Sequence, residues 1–172
     1  EPVPDPVNIT IPDICKSDLV AGTNPFANLD DLVTAPNNPA EVDWSVVVPT
    51  PGAVLIDPLT GQIDWAAVLA NSPDGANTTF TFQATSNTAV DCNPDLGQVS
   101  FTVTDPTAPT GPASLTRCEV YAVADLIAEF SSPGNTIVVY DALTGGNIVD
   151  PSTVIPVGVT TYYMASQNAA GC

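Results

Sequence analysis

The chain has 172 residues, of which 44% are hydrophobic and 12% charged, a composition that predicts one large or two small folded domains and excludes intrinsic disorder. Nineteen Asp and Glu residues face only Lys16 and Arg117, which gives a net charge of −17. Nucleic acids and anionic lipids bind through Lys and Arg, so we expect no nucleic-acid partner. No apolar run approaches the roughly 20 residues of a membrane helix, so no direct membrane insertion is expected.

Short apolar stretches separated by Pro, Gly, Asn and Asp recur along the chain and predict an all-β fold. The predicted strands are Val3–Ile11, Val42–Val48, Ala53–Ile56, Gln62–Trp65, Thr78–Thr85, Gln98–Val103, Cys118–Val123, Thr136–Tyr140, Asn147–Val149 and Thr160–Ala165. Short helices are predicted over Asn28–Val33 and Ala122–Phe130. In Thr78–Thr85 the side chains of Phe80, Phe82 and Ala84 fall on one face, which is the spacing of a half-buried strand.

A proline-rich segment divides the chain in two. Residues 105–112, Asp-Pro-Thr-Ala-Pro-Thr-Gly-Pro, follow a predicted strand and have the composition of a stiff linker. Residues 1–6 have the same character and are interpreted as the linker from a preceding module. We therefore predict one β-sandwich over residues 7–104 and a second over residues 113–172.

The two halves repeat one order of motifs, which predicts two copies of one module. Asp57-Pro-Leu-Thr-Gly61 matches Asp141-Ala-Leu-Thr-Gly145. In each, the Asp can accept a backbone N–H bond and the Gly can supply the left-handed residue of a hairpin turn. The first half ends with a strand, Gln98–Thr104, that has no counterpart after Cys172. We expect two tandem immunoglobulin-like sandwiches, the second lacking its final strand, which either follows in a longer array or is donated by a neighbouring subunit.

The repeat also predicts how the four cysteines pair. Four cysteines allow three connectivities, and the alignment of the halves pairs Cys15 with Cys92 and Cys118 with Cys172. Such bridges would place the protein in an oxidising compartment, at the cell surface or in the medium. The spacing contains no Cys-x-x-Cys, which argues against zinc.

Catalytic chemistry is not indicated by the residue types present. The chain has no His, which excludes His-based triads and His-ligated zinc or haem, and no Gly-rich loop precedes a Lys. A glycosidase needs two carboxylates, and Asp57 and Asp64 flank a hairpin. The short strands leave no pocket-forming insertion, so we predict no enzyme.

Calcium and sugars are the ligands that the residue types allow, and no cofactor is required. The candidate calcium ligands are Asp30, Asp31, Asp43, Asp57 and Asp64, but they follow no ligand spacing, so solvated acids are the favoured interpretation.

Tryptophan offers the other candidate contact, since aromatic rings can stack on sugars. Trp44 begins the apolar run that includes Val46-Val-Val48 and is predicted to be in the core. Trp65 follows Ile63 at strand spacing and is expected to share its face.

The second half resembles the immunoglobulin-like repeats of giant Bacteroidetes surface proteins. The resemblance is carried by Val139-Tyr-Asp-Ala-Leu-Thr-Gly-Gly146 and by Thr160-Thr-Tyr-Tyr-Met-Ala-Ser-Gln-Asn-Ala-Ala-Gly-Cys172. Val139 stands where that family usually has Trp. In the first half, Leu55-Ile-Asp-Pro-Leu-Thr-Gly-Gln-Ile63 is similar to the hairpin of immunoglobulin-like or cadherin-like bacterial modules.

The resemblance implies an extracellular, non-catalytic repeat exported by the type IX secretion system. Such a repeat would serve as a structural or adhesive part of a large cell-surface protein, such as an adhesin or gliding-motility filament. Its partners would be neighbouring modules of the same chain or filament, and surface glycans or other cells. Two alternatives stay open, a filament subunit completed by donor-strand assembly and a calcium- or carbohydrate-binding accessory module.

Overall fold

The computed structural model describes residues 9, 11–26, 28–33, 41–49, 55–87 and 95–172. The chain divides into two compact units, Glu1–Asp105 and Pro106–Cys172. Within the described ranges each unit contains one β-sheet, the first with a few short helices and the second with one, so the fold is β-rich. None of the helices in these ranges has the length and apolar character of a membrane span.

The first unit is built on a four-stranded sheet. Its elements in chain order are strand β1 (Ile14–Cys15), helix α1 (Lys16–Val20), a 3-10 turn (Asp30–Leu32), β2 (Val42–Val48), α2 (Trp65–Ala70), β3 (Thr78–Ser86) and β4 (Asp95–Thr104). The strand order is β1-β4-β3-β2. β1 lies parallel to β4, and the other pairs are antiparallel.

One face of this sheet carries the core of the first unit. Phe80, Phe82 and Ala84 of β3 are fully buried, which confirms the alternation predicted for that strand. The ring of Phe101 on β4 stacks on Phe80 and Phe82, at centroid distances of 5.5 and 5.7 Å. Burial of each such side chain stabilises the fold by about 1.5–3 kcal/mol.

Helix α2 and its surroundings pack on this apolar face. The ring of Trp65 lies 5.6 Å from that of Phe101, Phe26 lies 6.0 Å from it, and Val68 is fully buried. In the described part of the first unit, the cover of the face is thus helical and irregular, and the unit has a single extended sheet.

The strand predictions for the first unit hold best where apolar alternation is long. β2 has the predicted bounds, and β3 and β4 include the predicted segments Thr78–Thr85 and Gln98–Val103. Of the predicted strand Val3–Ile11, only Ile9 and Ile11 are described, and neither lies in a strand.

The predicted strand Gln62–Trp65 is wrong at its end. Gln62 and Ile63 form only single bridge pairs, with Asn28 and Ile56, and Trp65 begins helix α2. Asp64 caps this helix, because its Oδ1 accepts the N–H of Ala67 at 3.0 Å. The residues that follow, Ala-Ala-Val-Leu-Ala, include the strongest helix formers, which outweigh two residues of strand-like spacing. Of the predicted strand Ala53–Ile56, residues 53 and 54 lie outside the described ranges.

The second unit contains helix α3 (Val123–Ala128), β5 (Thr136–Tyr140) and β6 (Tyr163–Gln167). The two strands pair antiparallel, from Thr136 opposite Gln167 to Tyr140 opposite Tyr163. The predictions of β5 and of a helix after Ala122 are confirmed.

Two predicted strands of the second unit are not formed as strands. The segment Cys118–Val123 contributes one bridge pair, Ala122 with Val154, and Asn147–Val149 contributes one, Ile148 with Tyr140. Asp125 Oδ2 accepts the N–H of Ala122 at 2.9 Å, an N-terminal cap that turns the end of the first segment into helix α3.

The proline-rich segment is attached to the second unit. Thr110 and Ser131 exchange two backbone hydrogen bonds, of 2.9 and 2.8 Å. Gly111 lies against the ring of Phe130, where an added Cβ would come within 2.3 Å of Cδ1. The residues predicted as a linker therefore pair with the fold at Thr110 and Gly111.

Candidate functional site

A groove of about 690 Å³ lies beside the Asp57–Gly61 turn in the first unit. Buried Ile56 and Ile63 line it, together with half-buried Trp65. The exposed side chains that complete its lining are those of Asn24, Asp57, Pro58, Gln62 and Asp64. The groove thus combines aliphatic surface, one aromatic ring and several amide and carboxylate groups.

The Asp57–Gly61 turn holds one side of this groove in place. Oδ1 of Asp57 accepts the N–H groups of Leu59 at 2.9 Å and Thr60 at 3.2 Å, and its backbone carbonyl accepts the N–H of Gly61 at 2.9 Å. Gly61 has a φ of +63°, the left-handed conformation that favours glycine. The N–H of Asp57 donates to the carbonyl of Gln62 at 2.8 Å, which closes the hairpin.

The turn also packs against the 3-10 segment and β2. The N–H of Leu29 donates to the carbonyl of Gly61 at 2.8 Å, and the N–H of Trp44 donates to that of Pro58 at 2.9 Å. The indole N–H of Trp44 donates to Oδ1 of Asp30 at 2.7 Å. These contacts join three separate segments of the chain beneath the groove.

The opposite side of the groove is set by the start of α2. Asp64 accepts the N–H of Ala67 as the helix cap, and its own N–H donates to the carbonyl of Leu55 at 2.9 Å. The indole N–H of Trp65 donates to the carbonyl of Phe26 at 3.1 Å, and the two rings meet edge to face at 5.1 Å. The orientation of the Trp65 ring is therefore fixed by packing and by a hydrogen bond.

The five candidate calcium ligands are not brought together. Asp30 bonds to Trp44, Asp43 Oδ1 accepts from the side-chain amide of Asn87 at 2.9 Å, and the N–H of Asp31 donates to Asn28 at 2.8 Å. Only Asp57 and Asp64 line the same groove. Across the described ranges, no three acidic or Cys side chains converge as metal ligands.

The two tryptophans have different roles. Trp44 is 2% exposed, which confirms its predicted place in the core. Trp65 does not share a strand face with Ile63, because it begins a helix, yet both side chains line the groove. Trp65 is thus the tryptophan available for contact with a ligand.

The cysteines depart from the predicted pairing. Cys118 is an exposed free thiol, so it does not form the predicted bridge with Cys172. Cys15 and Cys172 are disulfide-bonded, and Cys92 lies outside the described residues. The alignment that equated Cys15 with Cys118 fails in structure, because Cys15 lies in β1 against β4 whereas Cys118 lies in an exposed segment outside any strand.

Lys16 forms a cluster that the sequence analysis missed. Its side chain is 11% exposed, and Nζ donates to the carbonyl of Ser72 at 2.6 Å and to Oδ1 of Asp74. Oδ2 of Asp105, 3.6 Å from Nζ, accepts the N–H of Gly75 at 3.0 Å. The hydrogen bond to Asp74 raises the pKa of Lys16 and lowers that of Asp74. One signal could have found it, since Lys16 is the sole cationic residue among the first 105.

The second unit has a matching turn. Oδ1 of Asp141 accepts the N–H of Asn147 at 2.7 Å, and Gly145 has a φ of +66°. The backbone N–H of Asn147 lowers the pKa of Asp141 below its usual range. A smaller cavity of about 250 Å³ borders this turn, lined by Tyr140, Leu143, Tyr163 and Met164 among others. Gly61 and Gly145 thus take the same left-handed conformation, whereas Asp57 caps residues inside its turn and Asp141 bonds Asn147 across a loop that is one residue longer.

The second cation, Arg117, lies in the second unit. Its guanidinium donates to Oε1 of Glu129 at 2.5 Å and lies 5.5 Å from the centroid of the Tyr121 ring. The hydrogen bond to Glu129 raises the pKa of Arg117 further. These side chains are at least partly exposed, so we assign this cluster a local, stabilising role.

Comparison with protein-family models, with curated proteins and with solved structures gives no match. The chain is β-rich and has two units, each with one β-sheet and one Asp-x-Leu-Thr-Gly turn, within the described residues.

Proposed function

We propose that this chain is a non-catalytic pair of tandem immunoglobulin-like modules from a large secreted adhesin of the bacterial cell surface. The observation that supports this best is the repeated construction of the two units. In each unit, one strand precedes the Asp-x-Leu-Thr-Gly turn and pairs antiparallel with a strand from the Thr-Thr-aromatic segment. Repetition of one supersecondary unit within a chain is the mark of tandem arrays.

The chemistry of the chain fits an exposed extracellular position. Disulfide-bonded Cys15 and Cys172 suit an oxidising compartment. A net charge of −17 keeps neighbouring molecules apart on a crowded surface. The resemblance of the second half to Bacteroidetes surface repeats supports export by type IX secretion and a role in adhesion or gliding.

The cellular location and the mass of the native polypeptide test this proposal directly. An antibody raised against the chain is used to probe intact cells, surface-shaved cells and the medium, and the mass of the recognised polypeptide is measured under reducing conditions. We expect a surface-exposed polypeptide many times larger than the 17.7 kDa of this chain. A product near 17.7 kDa that polymerises would support the donor-strand filament subunit in its place, and a protein confined to the cytoplasm would overturn the proposal.

The groove of the first unit favours a second, compatible function, which is contact with a neutral glycan. Trp65 offers an aromatic surface for the apolar face of a sugar ring, and the side chains of Asn24 and Gln62 offer amide donors and acceptors. No cationic residue lines the groove, while Asp57 and Asp64 do. Anionic sugars would therefore be repelled, and uncharged ones are the matching class.

Calorimetric titration with neutral oligosaccharides tests this second function. The double variant Asn24→Ala/Gln62→Ala should lose at least tenfold in affinity with little change in Tm, because both side chains are exposed. Thr102→Ala is the matched control, since Thr102 pairs with Thr79 on an exposed strand position away from the groove lining. Equal affinity of both variants, or preference for sialylated sugars, would contradict glycan binding in this groove.

A further inference from the structure

We propose that Asp74-Gly75 is a site of spontaneous aspartate isomerisation, and that contacts from Lys16 and Asp105 keep it in the unmodified form. The dipeptide is the single Asp-Gly in the chain, and the sequence contains no Asn-Gly. It lies in the turn between helix α2 and strand β3, where the Asp74 side chain is 99% exposed. This site is independent of the adhesin and glycan proposals.

The reaction joins two groups that are neighbours in this dipeptide. The backbone nitrogen of Gly75 attacks Cγ of Asp74, and the amide proton leaves with a carboxyl oxygen as water, which closes a succinimide ring. Glycine favours this attack because it has no Cβ to hinder the approach. Water then adds to the side-chain carbonyl, which restores aspartate, or to the main-chain carbonyl, which gives isoaspartate with the chain running through Cγ. Only water leaves and enters, so no oxidant or reductant is required.

Asp105 holds the attacking nitrogen. The N–H of Gly75 donates to Oδ2 of Asp105 at 3.0 Å, and the Asp105 side chain is 32% exposed. Asp105 directly follows β4, a strand that pairs with both β1 and β3, so its position is fixed by the sheet. A hydrogen bond to an ionised acceptor is stronger than a neutral one. Ring closure rotates the peptide group of Gly75 toward Cγ of Asp74 and therefore breaks this bond.

Lys16 holds the carboxylate that would be attacked. Nζ of Lys16 donates to Oδ1 of Asp74 and to the carbonyl of Ser72, and the Lys16 side chain is 11% exposed. The bond lowers the pKa of Asp74 and so favours the ionised form. An ionised carboxylate loses oxygen as water far less readily than a protonated carboxyl does. One cluster thus restrains both partners of the reaction.

Isomerisation would break the cluster that restrains it. Isoaspartate adds one carbon to the backbone of the turn and moves the free carboxylate to the former main-chain carbonyl. Lys16 would then lose its contact with the carboxylate of Asp74, although its side chain is largely buried. Removing a partner from a buried charge is destabilising. We therefore expect the isomerised chain to have a lower Tm in the first unit than the unmodified chain.

Long incubation of the whole chain at neutral pH tests the proposal. Electron-transfer fragmentation in a mass spectrometer distinguishes the two isomers at position 74. Asp105→Ala and Lys16→Met should each accumulate isoaspartate about tenfold faster than the unchanged chain, because the restraining hydrogen bond is gone. Asp105→Asn should fall between, since its amide oxygen can still accept the N–H of Gly75. Asp18→Asn, which removes an exposed carboxylate from helix α1, is the matched control and should not differ from the unchanged chain.

A destabilised variant separates local restraint from general stability. Trp44→Phe removes a hydrogen bond to Asp30 in another part of the first unit. It should leave the isomerisation rate at position 74 unchanged even if its Tm falls as far as that of Asp105→Ala. Hydrogen exchange of the Gly75 amide should accelerate in Asp105→Ala and stay the same in Trp44→Phe.

Three results would overturn the proposal. Equal isoaspartate in Trp44→Phe and Asp105→Ala would show that overall stability, and not the cluster, protects the turn. Slower isomerisation in Asp105→Ala would show that Asp105 promotes the attack as a base. A lack of isoaspartate at position 74 in every variant and in the denatured chain would show that Asp74-Gly75 is not a site of isomerisation.

Discussion

The indole of Trp44 donates a hydrogen bond of 2.7 Å to Oδ1 of Asp30, and Gly61 lies directly against both groups. A Cβ added at Gly61 would come within 2.9 Å of Asp30 N and Oδ1, and within 3.0 Å of Trp44 Nε1. Two independent features therefore favour glycine at position 61: its positive φ, and the close packing of Asp30 and Trp44 against it. Its counterpart Gly145 has a similar φ but no atom within 4 Å of an added Cβ.

Gly61→Ala and Gly145→Ala should therefore differ in effect. Gly145→Ala should lower the free energy of unfolding of the second unit by about 1–2 kcal/mol, because a residue with a Cβ disfavours the left-handed conformation. Gly61→Ala adds a steric clash with the Asp30 backbone to the same cost, so we expect a larger loss in the first unit. Denaturant unfolding of each unit, followed through residue-specific probes, measures both, and equal losses would contradict the packing argument.

Trp44→Phe should lower the free energy of unfolding of the first unit by about 1–3 kcal/mol. The substitution keeps an aromatic ring in the core but removes the donor that satisfies Asp30. Trp44→Phe/Asp30→Ala should cost less than the sum of the two single changes, because the two groups share one bond. Additive losses in this double-mutant cycle would show that the bond contributes nothing.

Lys16→Met should lower the Tm of the first unit and leave the second unit unchanged. Met retains much of the buried stem of the side chain, but the carbonyl of Ser72 loses its 2.6 Å donor. Asp74→Asn should have a smaller effect, because the Asp74 side chain is 99% exposed and its ion pair is screened by solvent. Thermal unfolding at low and high salt checks the order, and a larger effect of Asp74→Asn would contradict it.

The second unit should lose stability in acid. The pKa values of Asp141 and Asp150 are lowered, by hydrogen bonds from Asn147 and Ser152 respectively. Their stabilising contribution is therefore present above the unfolded-state pKa near 3.8 and is lost as pH falls through the lower folded-state values. Asp141→Asn should flatten this dependence of Tm on pH, whereas Glu119→Gln, at an exposed position of the same unit, is the control. If Tm depended on pH in Asp141→Asn as it does in the unchanged chain, Asp141 would not contribute to the acid sensitivity of the second unit.

Alkylation under native, non-reducing conditions should label Cys118 and leave Cys15 and Cys172 unmodified. Cys118 is exposed and free, whereas the other two are disulfide-bonded. Peptide mapping by mass spectrometry gives the label at each site, and reduction beforehand should make Cys15 and Cys172 reactive. Protection of Cys118, or loss of Cys172 protection in Cys118→Ser, would restore the pairing expected from the repeat.

Local patterns account for the parts of the fold that the sequence predicted well. β2 and β5 have the predicted bounds, because runs of apolar and β-branched residues between turn signals are a property of consecutive residues. The hairpin role of Asp57 follows likewise from turn chemistry within five residues, whereas Asp141 accepts its hydrogen bond from Asn147, six positions further along the chain. The groove was not predicted, since it forms only where the Asp57 turn meets the start of α2 and Asn24.

The amino-acid sequence by itself determined a β-rich chain in two parts, with alternating strands and Asp-x-Leu-Thr-Gly turns in each. Only the tertiary structure decided that Trp65 opens a helix, that Cys118 stays free, and that Lys16 meets residues 56 to 58 positions away. The reason is physical. Strand period and turn conformation depend on neighbours along the chain, whereas side-chain pairing depends on which distant segments the packed core brings within bonding distance.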